Sequence, residues 1–245
     1  MKFEGKTVFI TGANRGIGNA LAKACLKRGA SKVYAGVRDI KKIPQFDDER
    51  IVPVTLDITR DEDLMKAVSV AKDTQILINN AGTLNPGTFS DGNIDGFRRD
   101  MEVNFFSTIK IMRAFVPILK KNQDCRIVNI ASIAKFTNFP FIAGYSASKA
   151  ALYSITQAAR IELSQYNIVV HAVNPGAIDT DMNRGQKMEM TSPVVVAESI
   201  LDEVENETLD IIPDKIGKYM FSLWQESPMK LEEAAKNMFL SSKKT

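Results

Sequence analysis

Thr7-Val8-Phe9-Ile10-Thr11-Gly12-Ala13-Asn14-Arg15-Gly16-Ile17-Gly18 is the stretch that decides the fold. Thr7 to Ile10 is an apolar run of strand length, and the residues from about Gly16 to Arg28 carry the amphipathic period of a helix. Between them lie Gly12, Gly16 and Gly18, in a G-x-x-x-G-x-G rhythm. A strand that enters a helix through such a turn begins a βαβ unit. Its glycines give backbone freedom, let a pyrophosphate approach main-chain N–H groups, and expose the positive end of the helix. A tight turn without a ligand is the alternative. The position directly after a buried strand favours a dinucleotide.

Outward from this stretch the same alternation continues. Strands are predicted at Lys32 to Gly36, Ile51 to Thr55, Gln75 to Asn79, Arg126 to Ala131 and Ile168 to Asn174, and helices at Asp61 to Ala71, Gly92 to Lys121 and Tyr145 to Gln165. Strands apolar on both faces and separated by helices imply a parallel sheet covered on both sides, a doubly wound α/β fold whose ligands bind at the carboxyl ends of the strands. Past Thr180 the pattern changes. Ser192-Pro193 and Ser227-Pro228 each read as an N-cap followed by proline at the first helical position, predicting helices at Pro193 to Glu205 and Pro228 to Leu240. Leu209 to Ile212 reads as an edge strand, followed by a short amphipathic helix with Tyr219, Met220, Phe221 and Trp224. The expectation is one domain over 1–245, with a core at 1–180 and a substrate-side lid and tail at 181–245.

Composition narrows the function classes. With 245 residues and 44% hydrophobic content the chain can bury one large core. Its 32 basic and 29 acidic residues leave +3, too little charge to argue for nucleic acid or an anionic membrane. Cys25 and Cys125 lack metal-ligand spacing and suit a reducing compartment, so neither a disulfide nor a metal is expected. The early strand leaves no room for a signal peptide, and Lys110 and Arg113 interrupt the most hydrophobic helix, Phe105 to Leu119, so a cytoplasmic protein is expected. His171 is the only histidine and lies far from any nucleophile, which marks it as structural.

Two features carry chemistry. In Gly144-Tyr145-Ser146-Ala147-Ser148-Lys149 a phenol and an ammonium share one helix face. Acid chemistry near neutrality needs the phenol about 3 units below its ordinary ~10, and a cation at ~4 Å supplies about that much at an effective dielectric constant of ~20. At the end of the second strand, Val37-Arg38-Asp39 places Val37 where a ribose-binding carboxylate would stand, with Arg38 after it. Arg38 and Arg15 suit the 2′-phosphate of NADP. At ~1.5–3 kcal/mol per charge-assisted hydrogen bond, Arg38 alone would favour it by about 10- to 150-fold. Asp39 presented to the ribose instead would favour NAD.

Together these residues resemble the short-chain dehydrogenase/reductase family over Lys6 to Thr180. The likeness rests on Thr11 to Gly18, Asp57 in Leu56-Asp57-Ile58-Thr59, Asn79-Asn80-Ala81-Gly82, Asn104, Ser132, Tyr145 with Lys149, and Asn174-Pro175-Gly176 followed by Ile178 and Thr180. The resemblance implies a Rossmann-type fold and an NADP-dependent reduction of an aldehyde or ketone. In it Tyr145 is the acid/base, Ser132 polarises the carbonyl, Lys149 binds the nicotinamide ribose and acidifies the phenol, and Asn104 supports a water path to Lys149; the alternative for Asn104, an Asn inside an otherwise good helix, is that it marks a bend. The resemblance also implies that Gly12, Asn14, Arg15, Gly16, Ile17, Gly18 and Arg38 hold the phosphates. Asp57, Ile58, Asn80, Ala81 and Gly82 would line the adenosine, and Pro175, Gly176, Ile178 and Thr180 the nicotinamide, beside Tyr145 and Lys149. Asn79 is expected to tie strands together.

Leu84, Phe136, Phe139, Phe141, Ile142, Met182, Met188 and Met190 suggest an apolar substrate pocket, and hence an uncharged small-molecule carbonyl or alcohol. The tail lacks the glycine-rich final strand of many members, which puts a tetramer in doubt, and Ala150, Ala151, Ala158 and Ala159 suggest a homodimer face. Two other readings stand beside this one: an NAD-linked alcohol dehydrogenase of the same family, and a non-catalytic dinucleotide sensor.

Overall fold

β-Branched and aromatic runs form the strands and the amphipathic stretches form the helices between them. The computed structural model describes residues 2–42, 48–185 and 188–242. Its strands are β1 (Thr7–Thr11), β2 (Lys32–Val37), β3 (Ile51–Thr55), β4 (Ile76–Asn79), β5 (Arg126–Ile130), β6 (Val169–Val173) and β7 (Asp210–Ile211). All pair in parallel, in the order β3-β2-β1-β4-β5-β6-β7. The winding reverses between β1 and β4, and at that point loops leave the two strands in opposite directions and open a crevice.

The alternation of side chains along each strand sorts the core into two layers. Val8, Ile10, Ile76, Ile78 and Val128 pack with α1 (Gly16–Lys27) and α6 (Pro193–Glu205) through Leu21, Cys25, Val196 and Ile200. Phe9, Leu77 and Ile127 face the other way, onto α2 (Asp61–Val70), α4 (Ser107–Leu119) and α5 (Ala143–Leu163) through Leu64, Ile111, Phe115 and Leu163. This is the doubly wound, single-domain, Rossmann-type architecture that the alternation implied. Both cysteines are buried and free. No described helix is long and apolar enough to cross a membrane.

The helix expected over residues 92–121 is not one regular helix. α3 (Ile94–Met101) begins after Asn93, whose side chain accepts from the Asp95 N–H at 2.9 Å, and is joined to α4 by a π-helical turn, Glu102–Phe106. Asn104 sits in that turn with 1% of its surface exposed. A π turn adds a residue to the helical circuit and commonly marks a functional position.

In the tail, Ser192 and Ser227 accept from the N–H groups of Val194 and Met229, both at 3.3 Å, as the Ser-Pro pairs predicted. α7 (Lys215–Glu226) and α8 (Pro228–Ser242) form a third apolar cluster with the crevice, in which Met220, Leu231 and Ala235 pack with Ile133, Phe139 and Tyr145.

Candidate active site

The crevice is a cleft of about 1150 Å³. Of the residues proposed from sequence for cofactor and chemistry, all line it except Gly18 and Asn104, which stand behind its wall. Gly12 and Gly16 have φ of +67° and +53°, a backbone region that favours glycine. Gly18 is required by close approach: a Cβ there would lie 2.3 Å from the Gly12 carbonyl oxygen. Asn80 braces the turn, donating through Nδ2 to the carbonyls of Thr11 (2.9 Å) and Gly12 (3.1 Å), while Thr11 Oγ1 accepts from the N–H groups of Asn80 and Ala81, each at 3.0 Å. Asn79 donates to Asn129 at 2.7 Å and ties β4 to β5, as expected.

The cleft fits a dinucleotide on its own geometry. Arg15, the N-cap of α1, makes no side-chain capping bond, and no acidic residue stands in the first turn. The first N–H groups of that helix are thus available to an anion where Arg15, Gly16 and Ile17 line the cleft. Further along, Arg38 and Asp39 line it together, and Arg38 forms no ion pair among the described residues. The Arg15 guanidinium instead meets Asp181 at 2.9 Å. Burial works against the charge of Asp57, but bonds from the Thr59 N–H (3.0 Å) and hydroxyl (2.7 Å), with the field of Arg38, hold its carboxyl below the usual range.

Ser132 follows β5 and caps a short turn, Ile133–Lys135; its Oγ accepts from the Ala134 N–H at 3.1 Å, donates to the Pro175 carbonyl at 3.4 Å, and lines the cleft beside Tyr145. Tyr145 lies in the first turn of α5. Lys149, one turn on, has 4% of its surface exposed and donates to the Ile130 carbonyl at 2.7 Å, with its Nζ 5.5 Å from the Tyr145 ring centroid. Burial opposes the acidification of the phenol that is expected of Lys149. Burial pushes Tyr145 up to about 12, against the influence of the Ser132 hydroxyl and aided by the charge of Asp100. Burial also lowers Lys149 to about 8, against the field of Asp100. Desolvation disfavours the charged form of each group.

The side chain of Asn104 is fully engaged. Oδ1 accepts from the Thr83 N–H at 2.9 Å, and Nδ2 donates to the Thr83 carbonyl and to Ser148 Oγ, each at 2.9 Å. Its side chain therefore locks the strip after Gly82 onto the catalytic helix, where the resemblance implied support for a water path. Ser148 in turn donates to the Tyr145 carbonyl at 2.7 Å, and Ser146 Oγ accepts from the Phe139 N–H at 3.3 Å, both structural roles. His171 is buried with Nδ1 2.7 Å from the Thr208 carbonyl, far from this chemistry in the fold as in the sequence.

Two members of the expected apolar pocket lie elsewhere. Phe136 packs against Phe221 and Trp224, at 5.2 and 4.7 Å between ring centroids, and Met190 lines a separate groove beside α1. Their places are taken by Ile216, Met220 and Met238 from the tail, beside Leu84, Phe139, Phe141, Ile142, Met182 and Met188. Sequence reading also missed two buried carboxylates. Asp100 precedes Asn104 by one helical turn. Asp214, the N-cap of α7, accepts from the Gly217 N–H at 2.8 Å and from the Gly176 N–H at 2.7 Å. The signal for the second was the Pro213-Asp214 start of a helix.

Known proteins agree with this geometry. A short chain dehydrogenase from Burkholderia cenocepacia, solved in complex with NADP, is 36% identical and superposes with a TM-score of 0.91 over 96% of this chain and 99% of that one. A 3-ketoacyl-(acyl-carrier-protein) reductase from Brucella melitensis complexed with NADH is 28% identical, with a TM-score of 0.79 over 86% and 98% of the two chains. Estradiol 17-beta-dehydrogenase 2 of Rattus norvegicus is 32% identical over 224 residues, 84% of this chain and 53% of the relative. The short chain dehydrogenase family profile matches residues 6–191. With the parallel sheet, the uncapped helix at its switch point and the Ser132, Tyr145 and Lys149 triad in one cleft, that match makes this chain a member of the short-chain dehydrogenase/reductase family, a family of oxidoreductases that bind nicotinamide dinucleotides.

Proposed function

We propose that the chain is an NADP(H)-dependent carbonyl reductase that converts an apolar aldehyde or ketone to its alcohol, reversibly, with Tyr145 as the acid/base. The observation that carries this reading is Ser132, Tyr145 and Lys149 lining one cleft together with the tail methionines Met220 and Met238. NADPH, when bound, supplies the hydride. The chain's own residues orient the carbonyl and handle its oxygen. Ser132 and Tyr145 converge on that oxygen as it gains negative charge, and Tyr145 gives it the proton. A phenol held near 12 retains its proton throughout the neutral range, the form a reduction needs. Lys149, protonated below about 8, provides the positive field that the departing proton leaves uncompensated. Replacement of Tyr145 by Phe is expected to abolish NADPH oxidation on a panel of aldehydes and ketones with cofactor affinity nearly intact. Undiminished turnover would refute the acid assignment.

Arg38 supports NADP over NAD, as does the NADP complex of the Burkholderia relative. Asp39 in the same cleft favours the second reading, an NAD-linked alcohol dehydrogenase. Arg38→Ala separates them: it should weaken NADPH binding by about 10- to 150-fold and NADH binding far less, and equal losses would show that Arg38 does not read the phosphate. The same Tyr145 and Ser132 pair counts against a non-catalytic sensor, which has no use for a carbonyl-activating pair. The outward face of α5, with Ala150, Ala158 and Ile161 exposed, supports a homodimer. A cytoplasmic location remains part of this proposal.

A further inference from the structure

α3 carries a carboxylate to which the chemistry above gives no task. Asp100 lies one turn before Asn104 and has none of its surface exposed. Its Oδ1 accepts from the Asn85 N–H at 3.1 Å and from the Asn85 side-chain amide at 2.8 Å, and Oδ2 takes a longer bond from the same N–H at 3.4 Å. These donors are neutral, so they satisfy lone pairs without cancelling the charge. A buried carboxylate needs an opposite charge in the same low-dielectric region. Burial pushes the Asp100 carboxyl up, opposed by the bonds from Asn85 and by the positive field of Lys149. The relation is mutual, because Asp100 is the charged group that opposes the loss of the Lys149 proton, and its field also disfavours a Tyr145 phenolate. The two charges share one buried region: a Cβ built on Gly82 would stand 3.0 Å from Asn104 Oδ1 and 3.7 Å from Lys149 Nζ, and Asp100 lies one turn before Asn104. Tyr145 faces Ser132 from beyond β5, Asp100 from α3 and Lys149 from its own helix.

We propose that Asp100 is a positioning residue of this site: its carboxylate is the buried counter-charge that keeps the Lys149 amine protonated, and its grip on Asn85 fixes the strip of chain containing Thr83 and Leu84 that walls the cleft. The assignment rests on the reading of Tyr145 and Lys149 given above. It explains how an almost wholly buried ammonium with one carbonyl partner stays charged at neutral pH. It also makes α3 and the π turn after it a second arm of the site, since Asp100 and Asn104, one turn apart, hold Asn85 and Thr83 of the same strip.

Charge and grip separate by substitution. In Asp100→Asn the new Oδ1 can accept both Asn85 bonds, so the strip stays anchored while the negative charge is gone; Asp100→Leu removes both. The test follows NADPH-dependent reduction of benzaldehyde against pH for the parent, the two variants and Lys149→Met. Loss of the carboxylate favours the neutral amine, so the alkaline limb of kcat/KM, set by Lys149, should move to lower pH by about one unit in Asp100→Asn. Below that limb the rate should stay within about threefold of the parent, and Asp100→Leu should lose tenfold or more at every pH. The second readout needs neither substrate nor cofactor: ultraviolet titration of tyrosinate, with the Tyr145→Phe trace subtracted, should place Tyr145 at lower pH in Asp100→Asn than in the parent. A limb and a tyrosinate curve both identical to the parent's would overturn the proposal. Should Lys149→Met keep the parent's limb, or Tyr145→Phe keep its turnover, the underlying reading of the site fails instead. The tyrosinate shift still decides the place of Asp100, including where benzaldehyde is turned over poorly.

Discussion

A lysine buried without a direct carboxylate partner is a cost the fold carries for the sake of chemistry. The ordinary amine titrates at 10.5, and burial brings Lys149 to about 8. Because the folded state binds this proton more weakly than the unfolded chain does, the penalty is fully present below about pH 8, and it is relieved as pH rises from there toward 10.5. A shift of this size corresponds to about 3 kcal/mol. Lys149→Met should therefore raise stability at pH 7 by about 1–3 kcal/mol, the lower figure allowing for the Ile130 carbonyl that loses its donor, while activity disappears. Urea unfolding at pH 7 and again near pH 10 checks the sign: the advantage of the variant should shrink at the higher pH. A variant less stable than the parent at pH 7 would show that the ammonium is a net stabiliser.

The helices that shape the cleft depend on single polar anchors near their ends. Asp214 begins α7 and reaches back to the loop after β6, with 3% of its surface exposed. Asp214→Ala removes the cap and leaves the Gly176 N–H without its acceptor, an expected loss of about 2–4 kcal/mol from the two together. NADPH should also bind more weakly, because Gly176 lines the cleft; urea midpoints and a fluorescence titration measure the two effects, and unchanged values in both would refute the anchor. This level of structure was the least legible in the amino-acid order. β1 to β6 and the tail helices were readable because apolar period and Ser-Pro caps are local signals. At Glu102–Phe106 only a bend was signalled, by Asn104 inside an otherwise good helix; the π turn itself goes with Asn104 reaching Thr83, a contact between segments 21 residues apart. The balance at the phenol was only half legible: spacing shows that Tyr145 and Lys149 share a face, but burial, which moves both against their charged forms, is a property of the folded cleft. Ser132, Tyr145, Lys149 and the glycine turn were legible as residue types at fixed spacing, and Asp100 and Asp214 were not, since their task depends on what lies across from them.

Two apolar layers on one parallel sheet place every strand end that matters, those of β1, β2, β4, β5 and β6, along one edge. That leaves the opposite side of α5 outside the core. Ile161 is 77% exposed there and Phe106, the last residue of the π turn before α4, is 48% exposed. Apolar side chains on such a surface fit a face shared between two copies. The parent should sediment at twice the mass of one chain, and Ile161→Arg at the mass of one; a parent that sediments singly at micromolar concentration would end the dimer proposal. The double attachment of Asp214 bears on how such molecules diversify. Because one carboxylate binds both the loop that stays with the sheet and the helix that belongs to the tail, an exchange of tails between relatives has a natural splice point after this residue. A graft that starts at 215 inherits a fitted anchor, whereas one that starts at 213 brings a foreign anchor to a loop it has never met.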